Sequence, residues 1–116
     1  MKLNITSEEI MEINKVFKGT IRNDAEVETS IYRCEGRNII TQVALMWRAI
    51  LVGHPYSDGN KRTAFVVTMK LLKDTKTSVN RNIIEVMLNQ MTKVAKENID
   101  ELSKIERMVR YAIEGR

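Results

Sequence analysis

The sequence predicts an all-α fold, a compact helical bundle of about six helices around a central helix that starts near residue 60. Three observations carry this. Apolar residues recur at helical spacing in the segments between the glycines and the single proline. No segment alternates with period two for long enough to make a strand. The breakers Gly19, Gly36, Gly53, Gly59, Gly115 and Pro55 punctuate the periodic stretches.

The elements follow in order. "TSEEIMEINKVFKG" opens on Thr6 and Glu9 at capping-box spacing, where each side chain satisfies the other's orphan amide. Ile10, Ile13, Val16 and Phe17 form one stripe, and Gly19 suits the C-terminal cap. "TIRNDA" is a polar loop, with room for a short β-hairpin within residues 19–24. A short helix is expected over Ala25–Cys34, closed near Gly36. In "RNIITQVALMWRAILVG", Ile39, Val43, Met46, Trp47, Ile50 and Leu51 lie at helical spacing, and Gly53 ends the helix. "NKRTAFVVTMKLLKD" is apolar over more than half its circumference, which marks it as the central helix. "TKTSVN" is a turn. Arg81–Lys96 turns Ile84, Met87, Leu88, Met91 and Ala95 inward. Asn98 or Asp100 caps a last helix carrying Leu102, Ile105, Val109 and Ala112.

At 116 residues the chain reads as a single domain spanning 1–116. The 19 basic residues against 15 acidic give a net charge of +4, interspersed along the chain. That suits nucleotides or acidic partners and is too weak to argue for nucleic acid. One cysteine, Cys34, excludes an internal disulfide and a cysteine-based metal cluster. It reads as a packed thiol, with no sign of activation. "MKLNITSEEI" lacks the apolar run of a signal peptide. No stretch approaches the roughly 20 apolar residues of a membrane span. A cytoplasmic location is the expectation. The seven methionines serve as core filling.

One stretch does not read as core. "HPYSDGNKRTA", residues 54–64, holds the chain's one His and one Pro, then Asp58, Gly59, Asn60, Lys61 and Arg62 in succession. It falls where the central helix begins. A helix N-terminus presents unpaired amides and a partial positive charge, which attract phosphate. Gly59 lets a ligand approach the backbone and can take a positive φ. Asn60 can bond to the loop or to a ligand. Lys61 and Arg62 supply cationic donors. Asp58 is the one carboxylate, suited to a Mg²⁺ ion whose other ligands include phosphates. His54 supplies an imidazole, which can take a proton from an attacking hydroxyl. Pro55 restricts the loop, and Tyr56 packs its ring beneath it. Singly, each residue has an ordinary reading as turn, cap or solvated surface. Together they make a phosphoryl- or nucleotidyl-transfer site.

The string also resembles the signature of the Fic/Doc (Fido) family. His54, Pro55, Asp58, Gly59, Asn60 and Arg62 match it position for position, and Tyr56 stands where Phe is usual. Residues 19–33 sit where the family has its substrate-aligning flap. The resemblance implies an all-helical core that uses ATP or another nucleotide with Mg²⁺ to modify a protein hydroxyl. His54 would be the general base and Asp58 the magnesium ligand, with Gly59, Asn60 and Arg62 as the phosphate cradle. Two positions depart from the adenylylating members, which carry Gly where this chain has Lys61 and a second Arg where it has Phe65. Both departures are similar to the Doc (death-on-curing) branch, the toxins of toxin–antitoxin pairs. In that branch the nucleotide binds the other way round and its γ-phosphate is transferred. Gly59, by contrast, is the Fic-like choice. The family's self-inhibitory pattern, Ser or Thr four residues before Glu-Gly or Glu-Asn, is missing at Glu35, Glu97 and Glu114. What the resemblance implies is inhibition by a separate antitoxin chain, or none.

The expected function is therefore a Doc-like phosphotransferase acting from ATP and Mg²⁺ on a cytosolic protein such as a translation factor. Fic-type adenylylation is the alternative. A non-catalytic helical binding module with a vestigial motif is the second, supported by the +4 charge and by Phe65. The nucleotide, the target and the oligomeric state are not written in the sequence.

Overall fold

A computed structural model describes residues 4–116. Residues 1–3, the start of the stretch read above as lacking a signal-type apolar run, lie outside the described residues. Six α-helices form among the described residues, and no strand does. They are α1 (Ser7–Val16), α2 (Ala25–Arg33), α3 (Ile39–Trp47), α4 (Asn60–Asp74), α5 (Arg81–Glu97) and α6 (Leu102–Glu114). Among the described residues no helix is long and apolar enough to cross a membrane.

Local chemistry sets most boundaries. The Thr6–Glu9 capping box forms, with Glu9 N–H donating to Thr6 Oγ1 at 3.1 Å and Thr6 N–H to Glu9 Oε1 at 3.2 Å. Asn38 and Asn80 cap α3 and α5 by accepting from Thr41 N–H at 3.0 Å and Ile83 N–H at 2.8 Å. Asn98 does not cap the last helix. It closes α5 in the left-handed conformation at φ 53°, and Glu101 precedes α6. Asn tolerates that conformation better than most side chains, which suits it to a helix end. Gly19 likewise does not take the left-handed position after α1; Lys18 does, at φ 63°.

α3 packs against α2, α4 and α6. Every residue from Gln42 to Trp47 is buried, so α3 shares the centre with α4 and is enclosed more completely. On α4, Ala64, Val67, Leu71 and Leu72 face the core, and Lys61, Arg62, Lys73 and Asp74 remain exposed. Two buried polar contacts fix how the helices meet. Trp47 Nε1–H donates to Thr68 Oγ1 at 2.9 Å, tying α3 to α4. Gln42 Nε2 donates to the carbonyls of Cys34 and Arg37, each at 3.2 Å, tying α3 to the end of α2.

Three features near the motif differ from the expectation. α3 runs on as a π-helical turn over Arg48–Val52, closed by Gly53 N–H donating to Arg48 O at 3.1 Å. Such turns widen a helix by one residue and often accompany functional sites. Residues 19–24 form no hairpin. With α1 ended at Val16 and α2 begun at Ala25, they are too few for two strands and a turn. They lie along the motif loop instead, through one antiparallel bridge between Ile21 and Tyr56. Arg22 and Asn23 N–H donate to Pro55 O at 2.7 and 3.1 Å, and Ser57 N–H donates to Thr20 O at 2.9 Å. Finally, Val16 is 76% exposed, and Asn14 takes the buried place on the α1 stripe.

Candidate active site

The loop between the π turn and α4 begins with His54 at φ 47°, a conformation uncommon outside glycine that His, like Asn and Asp, adopts more readily than most residues. Pro55 and Tyr56 are buried beneath the loop. Burial, and then the charge of Asp24, push the Tyr56 phenol up to about 12. The phenol is thus neutral at physiological pH and serves as packing. Asn60 braces the loop from inside: Tyr56 N–H donates to Asn60 Oδ1 at 3.2 Å, and Asn60 Nδ2 donates to Tyr56 O at 2.9 Å. Its side chain is therefore committed to the loop, and its backbone N–H is what remains for a ligand.

Gly59 precedes α4 in the left-handed conformation at φ 72°, with no side-chain cap on the helix. A Cβ there would meet Phe17 Cβ at 2.6 Å, so packing as well as φ requires glycine. Thr63 N–H makes the first helical bond, to Gly59 O at 2.9 Å. The amides of Asn60, Lys61 and Arg62 therefore have no partner among the described residues. No acidic residue lies in this first turn; two cations do.

All six residues named from the sequence line one cleft of about 460 Å³, namely His54, Asp58, Gly59, Asn60, Lys61 and Arg62, with Phe17 and Ser57 completing its wall. His54 is exposed and makes no side-chain hydrogen bond among the described residues. Asp58 Oδ1 accepts from Gly59 N–H at 2.7 Å, which leaves its second oxygen open. Lys61 leans across to α5, where its Nζ donates to Thr92 Oγ1 at 2.9 Å. Arg62 is exposed, with no carboxylate partner among the described residues.

Asn14 is the site residue that sequence reasoning missed. It is 1% exposed, and its Nδ2 donates to Asp58 O at 2.8 Å and to Thr63 Oγ1 at 3.0 Å. It therefore holds the loop on one side and the first turn of α4 on the other. Gly19 makes room for it: a Cβ at Gly19 would run into Asn14 Oδ1 and Asp58 O. A polar residue one turn after Ile10 on an apolar stripe is the signal that could have found it.

The cleft holds one carboxylate, two cations, an unpaired histidine and three free amides, a set suited to a polyphosphate with a divalent ion. No curated protein and no solved structure matched the chain. The model of the Fic/DOC family matches residues 4–72, which runs from before α1 through most of α4 and includes the whole cleft. The match covers more than half of the sequence, and the chain belongs to the Fic/DOC family.

Proposed function

We propose that the protein is a Doc-like phosphotransferase that moves the terminal phosphoryl group of ATP to a hydroxyl on a cytosolic protein. The start of α4 carries this reading. Lys61 and Arg62 stand at the positive end of the helix dipole, with no capping side chain. Each cation there costs roughly 0.3–1 kcal/mol in the absence of an anion. A phosphate removes that cost and accepts the open amides of Asn60, Lys61 and Arg62. α1 of the same chain shows the contrary arrangement, with a capping box and Glu8 and Glu9 in its first turn.

The donor set fits Mg²⁺ bound together with a nucleotide. Among the described residues no three His, Cys, Asp or Glu side chains cluster to hold a metal on the protein alone. A single carboxylate, Asp58, suits an ion whose remaining ligands are phosphate oxygens and water. Bound there, the ion would offset charge on the phosphates. His54, unpaired at the rim, would take the proton of the incoming hydroxyl as its oxygen bonds to phosphorus. ADP would depart with the bridging oxygen. Arg62 would hold the equatorial oxygens, and Gly59 admits the phosphate to the backbone.

Phe65 supports transfer of the terminal phosphate. One turn past Lys61 the α4 surface becomes apolar, with Phe65 and Val66 half-buried. Charged phosphates laid against that surface would lose hydration without gaining a partner. The cradle therefore serves the one phosphate that reacts, at the end of the chain. Gly59 does not argue for adenylylation, because its φ and its contact with Phe17 require glycine on their own account. A binding module with a vestigial motif leaves the unpaired His54 and the uncapped cations without a purpose. A translation factor is the first target to test, and a separate antitoxin chain is the inhibitor this reading implies.

The test is incubation with cell lysate and ATP labelled at the α or the γ phosphate. Label entering protein from γ alone is the expected result. Transfer from α alone would replace this reading with adenylylation, and transfer from neither would contradict both.

A further inference from the structure

The start of α1 and the second half of α2 enclose a groove of about 350 Å³. Ile5, Ile31 and Tyr32 form its apolar part, and Glu8, Glu28 and Glu35 stand around it. Tyr32 is 78% exposed, on a face of α2 where Glu28, Ile31 and Tyr32 fall at helical spacing. A lone exposed ring would be ordinary, but here it joins Ile31 and Ile5 in one concave patch. The three glutamates are exposed, with no cation partner among the described residues. Residues 1–36 hold seven acidic side chains against five basic ones, while the whole chain carries +4. The groove is thus an unanswered negative patch on a basic protein. It shares no residue with the cleft. Glu8 stands in the first turn of α1 and Phe17 at its end, roughly 14 Å apart along the axis.

We propose that this groove binds a basic segment of a partner protein, with an apolar side chain seated on Ile31 and Tyr32 and lysine or arginine beside Glu8, Glu28 and Glu35. The volume takes one or two large side chains, an anchor for a segment rather than for a whole domain. Tyrosine suits the contact, because its ring is apolar, its hydroxyl stays wet and it has little conformational freedom to lose. Carboxylates around the patch select the sign of the partner and speed encounter, while the aromatic supplies most of the affinity. A second copy of this chain does not fit. A symmetric contact through the groove sets three carboxylates against three, and a head-to-tail contact leaves a groove open at the end of every assembly and builds filaments. A partner held here leaves the cleft free. The inference stands on the groove alone and does not depend on the transfer reading.

Fluorescence anisotropy tests this, with the full chain titrated into a labelled peptide in which Leu and Phe alternate with lysine. One comparison peptide has its lysines replaced by Glu, and another has its Leu and Phe replaced by Ser. The parent peptide should bind about tenfold or more tighter than either, and more weakly as salt is raised. Tyr32→Ala should weaken it about tenfold, the scale of a lost aromatic anchor. Glu28→Lys with Glu35→Lys should reverse the preference, so that the Glu peptide binds tighter than the lysine one. All three positions are exposed, and circular dichroism of each variant checks the fold. Equal binding of the parent and Ser peptides would show charge attraction without a groove. Undiminished binding in both variants would place the peptide elsewhere. No binding of the parent peptide, or self-association in sedimentation that Tyr32→Ala abolishes, would also overturn the proposal, the last by giving the groove to a second copy. None of these results bears on the cleft.

Discussion

At the scale of single residues, Asn14 and Gly59 hold the site in shape. Asn14→Ala removes two donated bonds and leaves the buried Thr63 Oγ1 and the part-buried Asp58 O short of a partner. The expected loss is about 2 kcal/mol, read as a lower urea midpoint. A midpoint equal to wild type would mean that the loop is held by something else. Two further residues give the protein a defined alkaline limit. Burial raises the Cys34 thiol from 9.0 to about 12, and burial with Asp24 raises the Tyr56 phenol from 10.0 to about 12. Both are neutral acids whose native pKa lies above the unfolded one. Their contribution is complete below about pH 9 and declines as pH rises toward 12, because the unfolded chain ionises first. Urea midpoints at pH 8 and pH 11 should therefore differ, with the higher at pH 8, and Cys34→Ala should narrow the gap. The same burial predicts that a thiol reagent leaves Cys34 unmodified until the protein unfolds.

At the scale of elements, the meeting of α3 and α4 determines where the cleft opens. Thr68→Val keeps the shape of the side chain and removes the acceptor of the Trp47 indole N–H. An orphaned buried donor costs about 1–3 kcal/mol, so thermal unfolding should move down by several degrees. An unchanged melting temperature would show that this tie is not structural. The helices themselves were legible in sequence because their apolar stripes and caps are local properties. Thr6 with Glu9 announced α1, and the polar run at 54–62 announced the break before α4. What was not legible depends on contacts between elements. The π turn at Arg48–Val52 has the same apolar residues as an α-helix and differs only in which carbonyl each amide reaches. The pairing of residues 20–23 with the motif loop joins segments far apart in sequence. Asn14 was not legible as a site residue because its partners, Asp58 and Thr63, become neighbours only on folding. The cleft residues were legible as a set, since six of them fall within the nine residues 54–62. The commitments of Asn60 to Tyr56 and of Lys61 to Thr92 were not.

At the scale of the whole molecule, α1 to α4 carry the segment matched to the family and build the cleft. α5 lies outside that segment and closes an apolar slot beside the cleft through Leu88. The molecule thus joins a polar cleft to an apolar surface. On the proposed reading the cleft is a transfer site with His54 as the base. The most direct test is the rate of γ-phosphate transfer from ATP into protein by His54→Ala compared with wild type, at saturating nucleotide. A general base contributes on the order of 10²–10⁴-fold, so the variant should lose at least about a hundredfold in rate. Transfer by His54→Ala at the wild-type rate would contradict the account.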